Sequence, residues 1–479
     1  MTSPSDGDSL ATLLRRHRAE AGLTQEELAE RAGTSSRTVS DIERGLRGAI
    51  YRYTAARLAE ALELSAEERS RFQAAARARR PADLRPPRQP GPGEGSFGRA
   101  MLPSPLTPLI AREKEISTAL QTLRAGARLL TLTGPGGIGK TRVALEVMAR
   151  GQEDFEHGVF LASLAANPDP ALVPAIVASV LGAPAEREPL VPTIAQHVGE
   201  RRVLLACDTF EHVLDAAPLI ADLLASCPRL AVLVTSRTPL RLQGEQEMSI
   251  PPLALPSLEV VDAFDVTRFS AVTLFIQRAQ AVRSELPVDE ATLPLIADIC
   301  RRLEGIPLAL ELAAARVKHL PLPALAANLE HRLSVLTGGP RDVPERHQAM
   351  RDTIAWSCEL LTPAEQRLFR QLSVFGGSAT LDAVEVVCAL NEDSTDVLDT
   401  LSGLVDKSLV SLSSAVAAEP RYGMLDVVRE FSAERLRESG EEEVVSRRHA
   451  EYYLAVAEEA EPHLGGAAQD VWYRRLDAD

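Results

Sequence analysis

Residues 134–141 read Gly134-Pro135-Gly136-Gly137-Ile138-Gly139-Lys140-Thr141, which meets every required position of the phosphate-loop pattern G-x-x-x-x-G-K-[S/T]. The chemistry such a run can do is polyphosphate binding. Glycines let successive backbone N–H groups close around phosphate oxygens without a Cβ in the way. Lys140 would reach the β- and γ-phosphates and the Thr141 hydroxyl would serve Mg²⁺. Arg142 follows at the start of a helix whose N-terminal dipole favours an anion. Of the 52 lysines and arginines only Lys114, Lys140, Lys318 and Lys407 are lysines. A composition that uses arginine nearly everywhere has kept a lysine where nucleotide phosphates need one.

Further candidates lie downstream. Arg202-Val-Leu-Leu-Ala-Cys-Asp208 is an apolar run ending in an acid, and Asp208 either holds Mg²⁺ through water or is an ordinary strand-end carboxylate. Leu230-Ala-Val-Leu-Val-Thr-Ser-Arg237 ends in a polar triplet suited to sensing a γ-phosphate. Glu211 and His212 either orient a water or belong to a solvated turn, the turn being the preferred reading. In Leu303-Glu-Gly-Ile-Pro-Leu-Ala-Leu310 a rigid proline, Pro307, stands at a helix start.

These residues need elements to hold them. Arg128-Leu-Leu-Thr-Leu-Thr133 is a short β-prone run and Arg142–Ala149 is helix-compatible, so strand, glycine loop and helix follow in the required order. Strand-type runs then alternate with helical stretches to about residue 255, as a parallel sheet demands. The pattern is helical over 270–340. Residues 345–440 mix helices with β-prone Ser408–Ser413 and Arg421–Met424, and the tail from Glu441 is helical and polar. The Pro/Gly-rich stretch between Arg80 and Pro108 reads as a linker.

At 479 residues, with 45% hydrophobic and 25% charged residues, the chain predicts a soluble multidomain protein. No apolar run suffices to cross a membrane, and the N-terminus lacks the features of a signal peptide. The five cysteines show no C-x-x-C spacing and read as reduced core thiols of a cytoplasmic protein. Net charge is −15, yet residues 1–80 hold 14 arginines against 12 acids. An acidic body argues against general nucleic-acid affinity; the basic head leaves local DNA binding open.

In that head, Leu10, Leu13 and Leu14 give one apolar helix face, and Gly22 stops the helix. Thr24 caps a second helix with Glu27 three residues on, and a third runs from Ser35 or Ser36 to Glu43. Two more are expected over Thr54–Leu62 and Ser65–Ala78. Two short helices joined by Ala32-Gly33-Thr34 predict helix-turn-helix geometry, the second free to enter a major groove. There Arg37 can bridge guanine O6 and N7; the other reading is a bundle used only for protein contacts.

The segment Leu23–Gly45 closely resembles the XRE (lambda-repressor-like) family. That resemblance puts Gln25 and Ser35 at DNA-backbone contacts and Ser36, Arg37, Thr38 and Ser40 on the groove-facing helix. It also lets Arg44 and Arg47 reach phosphates, with Ala29, Val39 and Ile42 as core. The phosphate loop, Asp208-Thr-Phe-Glu-His212, Thr235-Ser-Arg-Thr-Pro239, Gly305-Ile-Pro307 and Leu106-Thr-Pro-Leu-Ile-Ala-Arg-Glu113 together resemble the STAND class of signalling ATPases in its NB-ARC-like branch. The resemblance implies ATP or ADP with Mg²⁺, phosphate and metal contacts from Lys140 and Thr141, Asp208 as the Walker B acid and Arg237 as the sensor. It also implies Pro307 packed on adenine.

Two departures matter. Thr209 stands where efficient ATPases carry a second acid, which predicts slow hydrolysis and leaves Glu211 as the remaining acid for orienting water. Met424-Leu425-Asp426 occupies the place of a motif whose histidine touches the β-phosphate of ADP. The C-terminal Val471–Asp477 resembles the entry to helical sensor repeats; it reads either as a partner-sensed regulator or as a shortened product.

The expected organisation is an all-α helix-turn-helix head (9–78), a linker (79–105), an α/β P-loop NTPase with a parallel sheet (106–256), a helical domain (257–340), a winged-helix domain (341–440) and a helical tail (441–479). The expected function is an ATP/ADP-binding transcription regulator acting on a double-stranded operator, self-associating with nucleotide state and open to a signalling protein or small ligand. The alternatives are an ATPase whose turnover is itself the output, and a signalling or defence scaffold whose head binds protein.

Overall fold

The computed structural model describes residues 10–32, 36–44, 58–59, 61–62, 64–65, 68–69, 72, 102–103, 107–167, 169–184, 189–257, 265–329, 332–337, 339, 348–388, 397–413, 419–465 and 469–478. The chain divides into two compact units, residues 1–95 and 96–479.

In the first unit, α1 (Leu10–Glu20), α2 (Gln25–Arg31) and α3 (Ser36–Glu43) pack through Leu10, Leu13, Leu14, Leu28, Ala29, Val39 and Ile42. Gly22 takes φ +67, ending α1. A capping box starts α2: the Glu27 N–H donates to Thr24 Oγ1 at 3.1 Å and the Thr24 N–H to Glu27 Oε2 at 2.7 Å. Leu58, Leu62, Leu64 and Phe72 complete this core. The expected turn at 33–34, Ser35, Arg47 and most of the two later helices lie outside the described residues, as does most of the 79–105 linker.

The second unit begins with α4 (Glu113–Arg124), β1 (Leu129–Thr133), α5 (Lys140–Arg150), β2 (Val159–Ser163), α6 (Val173–Leu181), α7 (Leu190–Val198), β3 (Val203–Asp208), α8 (Ala217–Ser226), β4 (Leu230–Thr235) and β5 (Glu245–Ser249). The sheet is parallel in the order β2-β3-β4-β1-β5. Every residue of β1, β3 and β4 is buried, because helices cover both faces. Along β3, Val203, Leu205 and Cys207 join one core with α6, α7 and α8, while Leu204 and Ala206 join the other with α4 and α5. The period-two alternation of strand side chains divides them. Polar, half-exposed β5 is the edge.

Helices α9 (Ser270–Val282), α10 (Leu293–Arg302), α11 (Pro307–Arg316), α12 (Leu322–Asn328) and α13 (Arg332–Val335) follow. Then come α14 (Met350–Cys358), α15 (Pro363–Gln371), β6 (Ser378–Thr380), α16 (Leu381–Val387), α17 (Val397–Asp406), β7 (Ser411–Ser413), β8 (Arg421–Gly423), α18 (Asp426–Ser439), α19 (Glu442–Ala460) and α20 (Gln469–Ala478). The three short strands form an antiparallel sheet in the order β6-β8-β7. One continuous core runs from Leu253 through α9–α18 to Val445, so the helical and winged-helix segments share an interior. The fold is multidomain: a helix-turn-helix head, an α/β P-loop module, and a helical and winged-helix part. Among the described residues no helix is long and apolar enough to cross a membrane.

Candidate nucleotide site

Three strand ends meet at the carboxyl edge of the sheet, where ligands of open α/β folds bind. From β1 the chain enters the glycine loop. Gly134, Gly137 and Gly139 take φ of +141, +77 and +98, conformations that a side-chain-bearing residue rarely adopts. Gly136 is excluded from change by space: a Cβ there would lie 2.5 Å from Thr353 Cγ2 and 3.0 Å from Arg237 Nη2. Lys140, the first residue of α5, donates from Nζ to the Gly134 and Pro135 carbonyls at 2.6 and 3.1 Å. Burial pushes its ammonium down to about 8; Glu211 and Asp208 oppose that, and Arg237 adds to it.

From β3 comes Asp208, whose Oδ1 accepts hydrogen bonds from Thr141 Oγ1 at 2.7 Å and from Thr235 Oγ1, at the end of β4, at 2.6 Å. Thr209 donates its N–H to Thr235 Oγ1 at 2.9 Å and holds φ at +64. A β-branched residue in that region is strained, and such strain collects at functional sites. Thr141 and Asp208 present paired hard oxygen donors of the kind Mg²⁺ takes.

Just beyond β4, Arg237 is buried with Glu211: Nε donates to Oε1 at 3.2 Å and each side chain is 4% exposed. The preferred reading of a solvated turn at Glu211 is therefore wrong. The turn folds back under α14, and burial requires the carboxylate to find a cation. Glu211 Oε2 remains buried in the cavity wall with no hydrogen-bond partner. His212 is equally committed, with Nε2 3.1 Å from the carbonyls of Leu164 and Asn167. Arg237 extends further: Nη1 donates to the Thr353 carbonyl at 3.3 Å, and the guanidinium lies 4.6 Å from the Trp356 ring centroid. Ser408 Oγ donates back to the Arg237 carbonyl at 3.0 Å.

A cavity of about 450 Å³ connects these groups, within the size range of small-molecule sites. Its lining joins Gly136 through Arg142, Asp208, Glu211 and Arg237 to the apolar Pro108, Leu109, Ile110, Leu253, Leu274 and Pro307. Pro307 is N1 of α11, following Gly305 at φ +68, which packs against the Leu253 carbonyl. Arg142 lines the cavity while its guanidinium donates to the Thr107 carbonyl at 2.6 Å and hydroxyl at 3.1 Å. Gly134 and Pro135 sit behind the lining and serve Lys140. Leu425, with Pro135 and Gly136, borders a second, small cavity, so the winged-helix segment abuts the phosphate loop. Thr353, Trp356 and Thr235 were not singled out from the sequence. Thr235 was legible inside its triplet, but nothing local marks residues of α14 as neighbours of β4.

In the head, Glu43 is buried and accepts from Arg18 Nε at 2.6 Å and Gln25 Nε2 at 2.6 Å. Burial alone would raise its carboxyl; the bonds from Arg18 and Gln25 and the Arg18 charge outweigh that and hold it below the ordinary range. Gln25 is thus engaged within the head, and Glu43 lends no negative charge to the outer face of α3. Ser36, Arg37 and Thr38 fall on α3, but their side chains lie outside the described residues, as does Ser35. Ser40 is half-buried and Arg44 exposed.

The family described as "Helix-turn-helix domain" matches residues 9–72, and that described as "Winged helix-turn-helix domain" matches 361–437. "Uncharacterized protein Rv0894" of Mycobacterium tuberculosis is 35% identical over 351 residues, 72% of this chain and 86% of its own length. "Putative HTH-type transcriptional regulator Rv0890c" of the same organism is 38% identical over 71% of this chain, which spans only 37% of that relative's length. A solved STAND protein with a tetratricopeptide repeat sensor from Pyrococcus horikoshii aligns over 76% of this chain and 47% of its own, with 17% identity and a TM-score of 0.29. Sharing most of its length with Rv0894 and carrying a helix-turn-helix domain and a winged helix-turn-helix domain, the chain belongs to the family of that mycobacterial protein.

Proposed function

We propose that the protein is an ATP/ADP-binding, sequence-specific DNA-binding transcription regulator of the XRE and NB-ARC-like types. Nucleotide state controls its self-association and, through that, its occupancy of a double-stranded operator. The names of its relatives support this reading, among them the regulatory protein AfsR of Streptomyces coelicolor, 27% identical over 78% of this chain and 36% of its own length. Lys140 and the loop from Gly134 to Thr141 bind phosphate, Thr141 and Asp208 hold Mg²⁺, and Pro307 packs on adenine. Gln25, Ser35, Ser36, Arg37, Thr38, Ser40 and Arg44 contact DNA.

One observation supports the switch above all others. A single side chain, Arg237, lines the phosphate end of the cavity and also bonds and stacks on α14, next to the winged-helix segment. A γ-phosphate competing for that guanidinium draws on the contacts that hold α14, which gives ATP and ADP different affinities for the two arrangements. Glu211, the remaining acid for positioning water, is tied to the same arginine, so hydrolysis is slow while the pair stands.

The test is a mobility shift of the purified protein on random DNA fragments with ATP and then with ADP. DNA binding that differs between the nucleotides supports the switch, and binding indifferent to nucleotide refutes it. Absence of DNA binding favours a scaffold whose head binds protein.

A further inference from the structure

The cavity lining includes a charged pair on the helices that follow the sheet. Arg278, on α9, donates Nε–H to Glu311 Oε1 at 3.0 Å, and both residues line the cavity. Glu311 stands on α11 four residues after Pro307, so the two share a helix face. The Arg278 side chain is 17% exposed and that of Glu311 37%, so the carboxylate is the member reaching solvent. Arg142, directly after Thr141, lines the same cavity, and the Glu311 and Arg278 charges both act on it. Glu311 therefore lines the same cavity as the end of the phosphate loop and Pro307.

A nucleotide laid with phosphates on the loop and base against Pro307 would run its sugar along the lining that includes Glu311. A ribose offers two neighbouring hydroxyl donors. A carboxylate accepts through two oxygens, and the Arg278 bond uses part of only one. Acid-to-ribose pairing of this kind recurs in nucleotide folds. The Arg278 hydrogen bond fixes the aim of the carboxylate, which lowers the ordering cost of binding.

We propose that Glu311 reads the ribose hydroxyls, with Arg278 as its positioning residue, and that the site therefore selects ribonucleotides over deoxyribonucleotides. This rests on the reading of the cavity as an adenine-nucleotide site. Its consequence is a switch that responds to ribonucleotides in preference to deoxynucleotides.

The test is calorimetric titration of the full chain with ADP, 2′-deoxy-ADP and 3′-deoxy-ADP in Mg²⁺. Hydrogen bonds to a charged group predict a preference of about tenfold or more for ADP over at least one deoxy form. Glu311→Ala should bring ADP to the level of that deoxy form and leave the deoxy form's affinity within about twofold. Glu311→Gln keeps the volume and one acceptor, guards against a folding defect and should retain only part of the preference. Equal wild-type binding of all three ligands, or an undiminished preference in either variant, overturns the proposal. Failure of the underlying reading looks different: no nucleotide binds at all, or Lys140→Ala leaves binding unchanged.

Discussion

Replacing Arg237 by alanine strands a charge. Glu211, 4% exposed, has Arg237 Nε at 3.2 Å, and its second oxygen is buried without a hydrogen-bond partner. Removing one member of a buried ion pair costs about 3–5 kcal/mol, mostly for the charge left behind. Arg237→Ala also removes the stacking on Trp356, about 1 kcal/mol, and the hydrogen bond to the Thr353 carbonyl, about 1 kcal/mol. Lys140 works the other way, because its ammonium already feels Glu211 and takes over part of the compensation. The expected net loss is about 3–4 kcal/mol. At about 2 °C per kcal/mol for a large domain, the melting transition of the α/β module should fall by about 6–8 °C. The double variant Glu211→Gln with Arg237→Ala no longer buries an unpaired charge and should recover about half of that loss. Scanning calorimetry of the four proteins in the cycle measures both terms. A double variant as unstable as Arg237→Ala, or a single variant within about 2 °C of wild type, would refute the account of a charge-compensating pair.

Lys140→Ala should weaken ADP binding by about a hundredfold or more in a titration, since it removes a buried cation from the phosphates. In the wild type, ADP affinity should decline as pH rises through about 8, where the unliganded ammonium loses its proton. Glu304 sits at φ +51, accepts from the Asp426 N–H at 2.6 Å, and is pushed up to about 7 by burial and then by the Asp426 charge. The folded state thus holds a proton that the unfolded chain releases near 4.5. Stability from this group is present below that value and is lost as pH rises through about 7; melting temperatures of Glu304→Gln should lack this slope. Gly305→Ala should lower the melting temperature, because a left-handed alanine costs about 1–2 kcal/mol and its Cβ would come 2.3 Å from the Leu253 carbonyl oxygen. A circular-dichroism melt unchanged from wild type would contradict the packing described for that turn.

Much of the phosphate end of the site is local and was legible. The glycine loop, the apolar strands ending at Asp208 and Thr235, and the helix opened by Lys140 each need only a few consecutive residues. Continuous burial on both faces makes β1, β3 and β4 unmistakable, whereas β5, Glu245-Gln-Glu-Met-Ser249, is a polar edge strand whose pattern carries no such signal. The capping box at Thr24 and the left-handed glycines at 22 and 137 are likewise set by neighbours in the chain.

What the residues by themselves determined, then, is the list of parts: a phosphate loop, its strand-end acid, a polar strand end at Arg237, a proline-started helix and a helix-turn-helix pattern. Tertiary structure decided which of them meet. Glu211, read as solvated, is buried with Arg237, whose guanidinium in turn meets Thr353 and Trp356, more than a hundred positions away. Gln25, read as a DNA contact, also donates to Glu43, because a buried carboxylate in a small helical core must be satisfied. The physical reason is common to both cases: burial and ion pairing depend on what arrives from elsewhere in the chain, and a lone charged residue carries no mark of its partner.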